Sequence, residues 1–196
     1  MAFAQRLPAT VTPVHYDITV APRLADATFG GNVKIGVRLA APSSTIVLNS
    51  AEIKFGASSI TAGGRKQPAE VTVDAAKEQA TFKVAAPVPA GEAELEIAYE
   101  GILNDDLRGL YLSKANNRRY AVTQLEATDA RRMFPSFDEP AFKATFALTA
   151  IIDEKDHAIS NGAVISDTPG PGAGKHTVKF EKIGRASCRE RVLRLV

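Results

Sequence analysis

The sequence predicts an all-β protein, an antiparallel β-sandwich or strongly curved, saddle-like sheets. Apolar and polar residues alternate with period two in several segments, so one face of each is buried and the other solvated. Turn-forming residues separate these segments at short intervals. No long stretch repeats apolar residues with the 3.6-residue period of a helix.

Tyr16-Asp17-Ile18-Thr19-Val20 is the first alternating segment. From Gly31 to Ala40, Val33, Ile35, Val37 and Leu39 alternate with Asn32, Lys34, Gly36 and Arg38. Thr45 to Leu48 is a short apolar run, the mark of a more buried strand. Val71 to Val73 and Ala80 to Val84 alternate again. From Gly91 to Tyr99, Ala93, Leu95, Ile97 and Tyr99 alternate with Glu92, Glu94, Glu96 and Ala98. His176 to Phe180 closes the series. Turn signals stand at Pro22, Gly30-Gly31, Pro42-Ser43-Ser44, Gly63-Gly64, Pro87 to Gly91 and Asn116-Asn117. Asp129 to Phe134 suits one helical turn, with Thr128 as its cap and Pro135 ending it.

At 196 residues the chain suits one domain with a real hydrophobic core. Its 45% hydrophobic and 23% charged residues are ordinary for a globular protein. No apolar run approaches the roughly 18 residues of a membrane span. Ala2-Phe3-Ala4-Gln5 reads as a frayed N-terminus or as the remnant of a secretory cleavage site. Both cytoplasmic and periplasmic locations therefore stay open.

Ile183 to Val192 looks like translated sequencing adapter, which sets residues 183–196 apart as a non-native tail; the alternative is a native basic tail. The only cysteine, Cys188, falls inside it. Without residues 183–196 the net charge is −1 instead of +2, so basicity gives no argument for nucleic-acid binding.

The most specific segment runs from Gln124 through Glu126, Asp129, Arg131 and Phe134 to Pro140. With Val11-Thr12-Pro13-Val14-His15-Tyr16-Asp17, Tyr99-Glu100-Gly101-Ile102-Leu103-Asn104, Arg108-Gly109-Leu110-Tyr111 and Ser160-Asn161-Gly162, it resembles the N-terminal domain of the aminopeptidase N (alanyl aminopeptidase) family of zinc metallopeptidases. The resemblance covers most of residues 6–182, leaving 1–5 as an N-terminal extension. It implies a curved β domain leaning over a thermolysin-like zinc domain that lies outside this chain. It implies an enzyme that removes N-terminal amino acids from peptides, and a domain inactive and zinc-free by itself. It also implies that Glu126 binds the substrate's α-ammonium group and that Gln124 lines the same pocket. Two residues apart on a strand, they would share a face while Leu125 points to the core. Ser136 departs from the cysteine often found at this place. The mixed charges of Asp129, Arg131, Arg132, Asp138 and Glu139 read as a salt-bridged turn that fixes how Gln124 and Glu126 are presented.

The other motifs carry less. His15, His157 and His176 are far apart in sequence, and none belongs to H-E-x-x-H. A metal site built from the three is the weakest rival. Gly170 to His176 has the glycines of a phosphate loop but the wrong first residue, Pro169, and no Ser or Thr after Lys175, so it reads as a hairpin loop. The main rival is a free-standing β-sandwich binding module that shares the architecture without the chemistry.

Overall fold

The structure, a computed structural model, describes residues 6–188 and 193–195. Its strands in chain order are β1 (Val11–Arg23), β2 (Thr28–Leu39), β3 (Ser43–Asn49), β4 (Lys54–Ala62), β5 (Arg65–Asp74), β6 (Gln79–Val88), β7 (Gly91–Ile102), β8 (Gly109–Ala115) and β9 (Arg118–Gln124). After a 3-10 turn at Ala130–Arg132 follow β10 (Ala144–Asp153), β11 (Ala158–Ser160), β12 (Val164–Pro169), β13 (Lys175–Phe180), β14 (Ile183–Ala186) and β15 (Leu193–Leu195). The large sheet runs β12-β13-β10-β1-β2-β7-β4-β5-β6-β3, with β14 on β10; a second sheet runs β11-β15-β9-β8. The strands pair antiparallel except β1 and β10, which run parallel from His15↔Thr145 to Val20↔Ala150. The fold is all-β with a sandwich-like arrangement of mixed sheets.

Alternation dictates the centre of this fold. Tyr16, Ile18 and Val20 of β1, Val33, Ile35 and Val37 of β2, and Leu95, Ile97 and Tyr99 of β7 are all buried. Each fully buried aliphatic side chain contributes about 1.5–3 kcal/mol by leaving water. The opposite faces carry charge in register. Arg38 lies across from Glu92 and Lys34 from Glu96, at 3.0 and 4.0 Å, and Lys66 of β5 reaches Glu96 at 2.7 Å. Exposed cross-strand pairs of this kind contribute only about 0.2–1 kcal/mol each, but they fix which way β7 faces.

Gly30-Gly31, expected as a turn, lies inside β2. The ring of Tyr99, directly across on β7, occupies the space over Gly31; Phe29 does the same over Gly101. The two aromatics meet edge to face with centroids 6.4 Å apart. These glycines make room for rings rather than for a turn. The signals at Gly63-Gly64 and Asn116-Asn117 are real turns, with all four residues at positive φ. Thr128, expected as a helix cap, is not one: Asp129 precedes the 3-10 turn and makes no side-chain cap hydrogen bond.

The two buried tyrosines behave differently. The hydroxyl of Tyr16 accepts the Phe137 amide at 3.0 Å, whereas the Tyr99 hydroxyl is buried with no hydrogen-bond partner among the described residues. Burial pushes both phenols far above their ordinary range. Tyr16→Phe is expected to destabilise by about 1–3 kcal/mol, because it orphans a buried amide. Tyr99→Phe is expected to be neutral or stabilising. Urea unfolding of the two variants checks this, and equal losses would contradict it.

Ile183 to Ala186 forms β14 on β10, and Ala186, Ser187 and Cys188 are buried; the Cys188 thiol lies 3.8 Å from the Phe137 carbonyl. The remaining tail residues 189–192 and 196, and Ala2 to Ala4, lie outside the described residues. Among the described residues no helix is long and apolar enough to cross a membrane.

Candidate functional site

β9 brings the chain to the site. Its last residue, Gln124, pairs with Gly109 of β8. Gln124 is exposed, Leu125 is buried in the core and Glu126 is exposed. The alternation expected from sequence therefore holds in burial. The strand itself ends at Gln124, however, so Glu126 opens a turn instead of continuing the strand. The Glu126–Ala127 peptide bond is cis. The Glu126 amide donates to Gln124 Oε1 at 3.2 Å, and the Asp129 amide donates to the Leu125 carbonyl at 3.1 Å, closing the turn. Gln124 thus touches Glu126 through the backbone.

The carboxylates of this segment differ in how they are held. Asp129 receives Arg132 Nε at 2.9 Å, Asp138 receives Arg131 Nε at 3.0 Å, and Glu139 accepts the Leu7 amide at 2.6 Å. The Glu126 carboxylate makes no ion pair or side-chain hydrogen bond among the described residues. It is exposed on a turn whose neighbours are committed to each other.

That commitment comes from the two arginines. Arg131 also reaches Glu78 Oε2 at 3.0 Å, and Arg132 reaches Glu78 Oε1 at 3.0 Å and Glu52 Oε1 at 2.6 Å. Two guanidiniums, each presenting several donors in a rigid fork, suit this shared use of carboxylates. Asn49 of β3 completes the clasp. It exchanges backbone hydrogen bonds with Ser136 at 2.8 and 3.1 Å, and its side-chain oxygen accepts the Asp138 amide at 3.1 Å. Ser136, at the place where cysteine is often found, is fully buried, and its hydroxyl has no hydrogen-bond partner among the described residues. The sequence reading of a salt-bridged turn holds for Asp129, Arg131, Arg132 and Asp138. It missed Asn49, at the end of β3, and Glu52 and Glu78, in the β3–β4 and β5–β6 connections, none of which carries a motif of its own.

The three histidines do not come together. His15 Nδ1 lies 2.7 Å from Thr145 Oγ1, and His176 stands across from Ile152 on the same strand β10. Seven residues of strand separate these partners, roughly 23 Å. His176 Nδ1 is 2.6 Å from Asp167 Oδ1 and Nε2 is 3.1 Å from the Asp156 carbonyl. Among the described residues no group of three His, Cys, Asp or Glu side chains is placed to hold a metal ion. The residues present do not fit the zinc that the family resemblance implies. Gly170 to Gly174 is the loop joining β12 and β13, closed by the Gly170 amide on the Lys175 carbonyl at 2.8 Å, and Lys175 and His176 open β13.

The histidines should titrate apart. The Asp167 carboxylate raises His176 above the ordinary value of 6.5, whereas burial lowers His15 below it. His176 therefore contributes stability fully below pH 6.5, and loses it as pH rises through its folded pKa. His15 contributes above pH 6.5 and loses that as pH falls. NMR titration of the ring protons should give the higher midpoint for His176; the reverse order would contradict these environments.

Fold and motif together define a β domain of the aminopeptidase type. The profile of the Peptidase M1 N-terminal domain matches residues 12–188, and the chain belongs to that family. It is 41% identical over 170 residues to Aminopeptidase M1-B of Oryza sativa subsp. japonica, covering 83% of this chain and 19% of that protein. It is 35% identical over 189 residues to Aminopeptidase N of Acetobacter pasteurianus, covering 94% of this chain and 52% of that one. Endoplasmic reticulum aminopeptidase 1 of Rattus norvegicus is 33% identical over 166 residues, covering 80% and 18%. The chain thus spans between about a fifth and a half of the length of these relatives.

Proposed function

We propose that this chain is the substrate-anchoring N-terminal domain of a longer aminopeptidase, in which Glu126 holds the free α-ammonium group of a peptide and Gln124 stands beside it. The observation that carries this reading is the state of Glu126. In a segment where Asp129, Asp138 and Glu139 are bound within the protein, its carboxylate alone has no such partner among the described residues, and Glu126 is exposed. A carboxylate in a substrate cleft would favour a free amine by a charge-assisted hydrogen bond. It would also disfavour a chain that continues past the terminus, because that chain brings an uncharged amide in place of the ammonium.

The relatives' names support peptide substrates for the longer protein. Zinc, as the resemblance implies, would supply the activated water there, held by residues outside this chain. The domain alone is accordingly expected to hydrolyse nothing. The test is Glu126→Gln in the longer protein, assayed on aminoacyl anilides with a free α-amine. Loss of a charge-assisted contact of about 1.5–3 kcal/mol should lower kcat/KM by roughly 10- to 100-fold. Unchanged kcat and KM would end the anchoring reading. Chelator-sensitive hydrolysis by the isolated chain would end the division of labour.

A further inference from the structure

We propose that Arg132 is a positioning residue for Glu126, an inference that rests on the anchoring reading above. Glu126 sits on an exposed turn closed by one backbone hydrogen bond, from the Asp129 amide to the Leu125 carbonyl. A short turn held only so would let the carboxylate wander. Asp129 is where the turn is tied down. Its carboxylate accepts Arg132 Nε at 2.9 Å, and the Arg132 amide donates back to the Asp129 carbonyl at 3.1 Å. The Asp129 and Arg132 side chains are each only 13% exposed, so the pair is shielded from water and salt far more than a surface pair.

The far side of the same guanidinium is fixed to the body of the large sheet. Its two terminal nitrogens reach Glu52, between β3 and β4, and Glu78, between β5 and β6. Both glutamates have positive φ, at 59° and 51°. L-residues other than Asn and Asp rarely take that conformation, and it persists where surrounding contacts hold it. Both strained turns thus present their carboxylates to one arginine. Gly109, at φ 66°, lets β8 pass against the same place: a Cβ there would lie 2.5 Å from Arg132 Cβ and 3.2 Å from the Asp129 carbonyl. The β3–β4 connection, the β5–β6 turn and the start of β8 converge on Arg132, and through Asp129 they set the turn that carries Glu126. A role in stability alone would call for such a hub anywhere. Here it lies one side chain from the turn bearing the unpartnered carboxylate.

The test is a double-mutant cycle in the longer protein. Arg132→Met is expected to lower kcat/KM for free-amine aminoacyl anilides at least about tenfold, since misplacement by about an ångström can cost up to about a hundredfold. In a Glu126→Gln background the same change should lower it less than about twofold, because a displaced anchor that is already neutral has little left to lose. Hydrogen exchange of the peptide spanning 125–133 should quicken at least about tenfold in Arg132→Met, while peptides of β2 and β7 stay protected. Equal losses in both backgrounds would overturn the inference and leave the anchor standing. A neutral Glu126→Gln would overturn the anchor and this inference with it. If Glu126→Gln leaves too little activity for the cycle, the exchange result decides, and unchanged protection of 125–133 overturns the proposal. If Arg132→Met fails to fold, Arg132→Lys keeps the charge but loses the fork, and is read by the same outcomes.

Discussion

Gly31→Val is expected to destabilise the domain by about 3 kcal/mol, the upper end of what overpacking a core usually does. A Cβ at Gly31 would fall 2.3 Å from Tyr99 Cζ and 2.6 Å from both Cε2 and the hydroxyl oxygen. No rotamer change relieves this easily. Tyr99 is 3% exposed, its ring is wedged against Phe29, and Phe29 in turn covers Gly101. The arrangement is reciprocal: Gly31 faces Tyr99 and Phe29 faces Gly101 across the same pair of strands. Disturbing one ring therefore disturbs the other. For a domain of this size the loss corresponds to a fall in Tm of roughly 10 °C. Gly184→Val supplies the control, because nothing lies within 4 Å of its Cβ position; it should stay within about 0.5 kcal/mol of the parent. Thermal unfolding of the two variants decides the matter. A Gly31→Val domain as stable as Gly184→Val would mean that the rings move freely. Tyr99→Ala should partly rescue Gly31→Ala, since it removes the side of the clash that lies on β7.

The same glycines show how far sequence could go. Gly-Gly read in isolation signals a turn, because glycine's freedom is its local property. Its use here is as empty space for a ring 68 residues away in sequence, which no local rule contains. Strands that keep one face in the core and one in water, such as β1, β2 and β7, were legible because their alternation is the imprint of that asymmetry. β10 was not. Its half-buried face carries Thr145, Ala147, Thr149 and Ile151, uncharged residues that contrast little with Ala144, Phe146, Ala150 and Ile152 on the buried face, so the alternation is weak in sequence. β4 loses its alternation where its pairing with β7 shifts between Phe55 and Ser58. At the site, Gln124, Glu126 and the charged turn stood out as one contiguous motif. Their supports Glu52, Glu78 and Asn49 did not, because salt bridges between distant loops leave no spacing to read. The end of β9 at Gln124 was likewise hidden: Leu125 keeps the strand's inward pattern for one residue after the strand has stopped.

Arg131→Met is expected to cost about 3–5 kcal/mol, the usual consequence of removing one partner from a buried ion pair. The Asp138 side chain is fully buried and that of Arg131 is 11% exposed. Arg131 Nε meets Asp138 Oδ2 at 3.0 Å, and its Nη2 lies 3.4 Å from the Asp138 carbonyl oxygen. Methionine would fill much of the volume, so the loss is electrostatic rather than a cavity. The carboxylate would remain in the core without the Arg131 guanidinium. Arg38→Met offers the contrast. Arg38 and Glu92 are 65% and 77% exposed at the same 3.0 Å separation, and that change should cost under about 1 kcal/mol. Distance is equal in the two ion pairs, so burial and the further Arg131–Glu78 contact separate the expected losses. Asp138→Asn added to Arg131→Met should recover part of the loss, because a neutral amide no longer needs the guanidinium. Urea unfolding of the single and double variants measures this. An Arg131→Met loss as small as that of Arg38→Met would mean that water reaches Asp138, and that the clasp around residues 131–138 is looser than its geometry. A large loss without recovery in the double variant would assign the effect to the Glu78 contact instead, which Arg131 and Arg132 share.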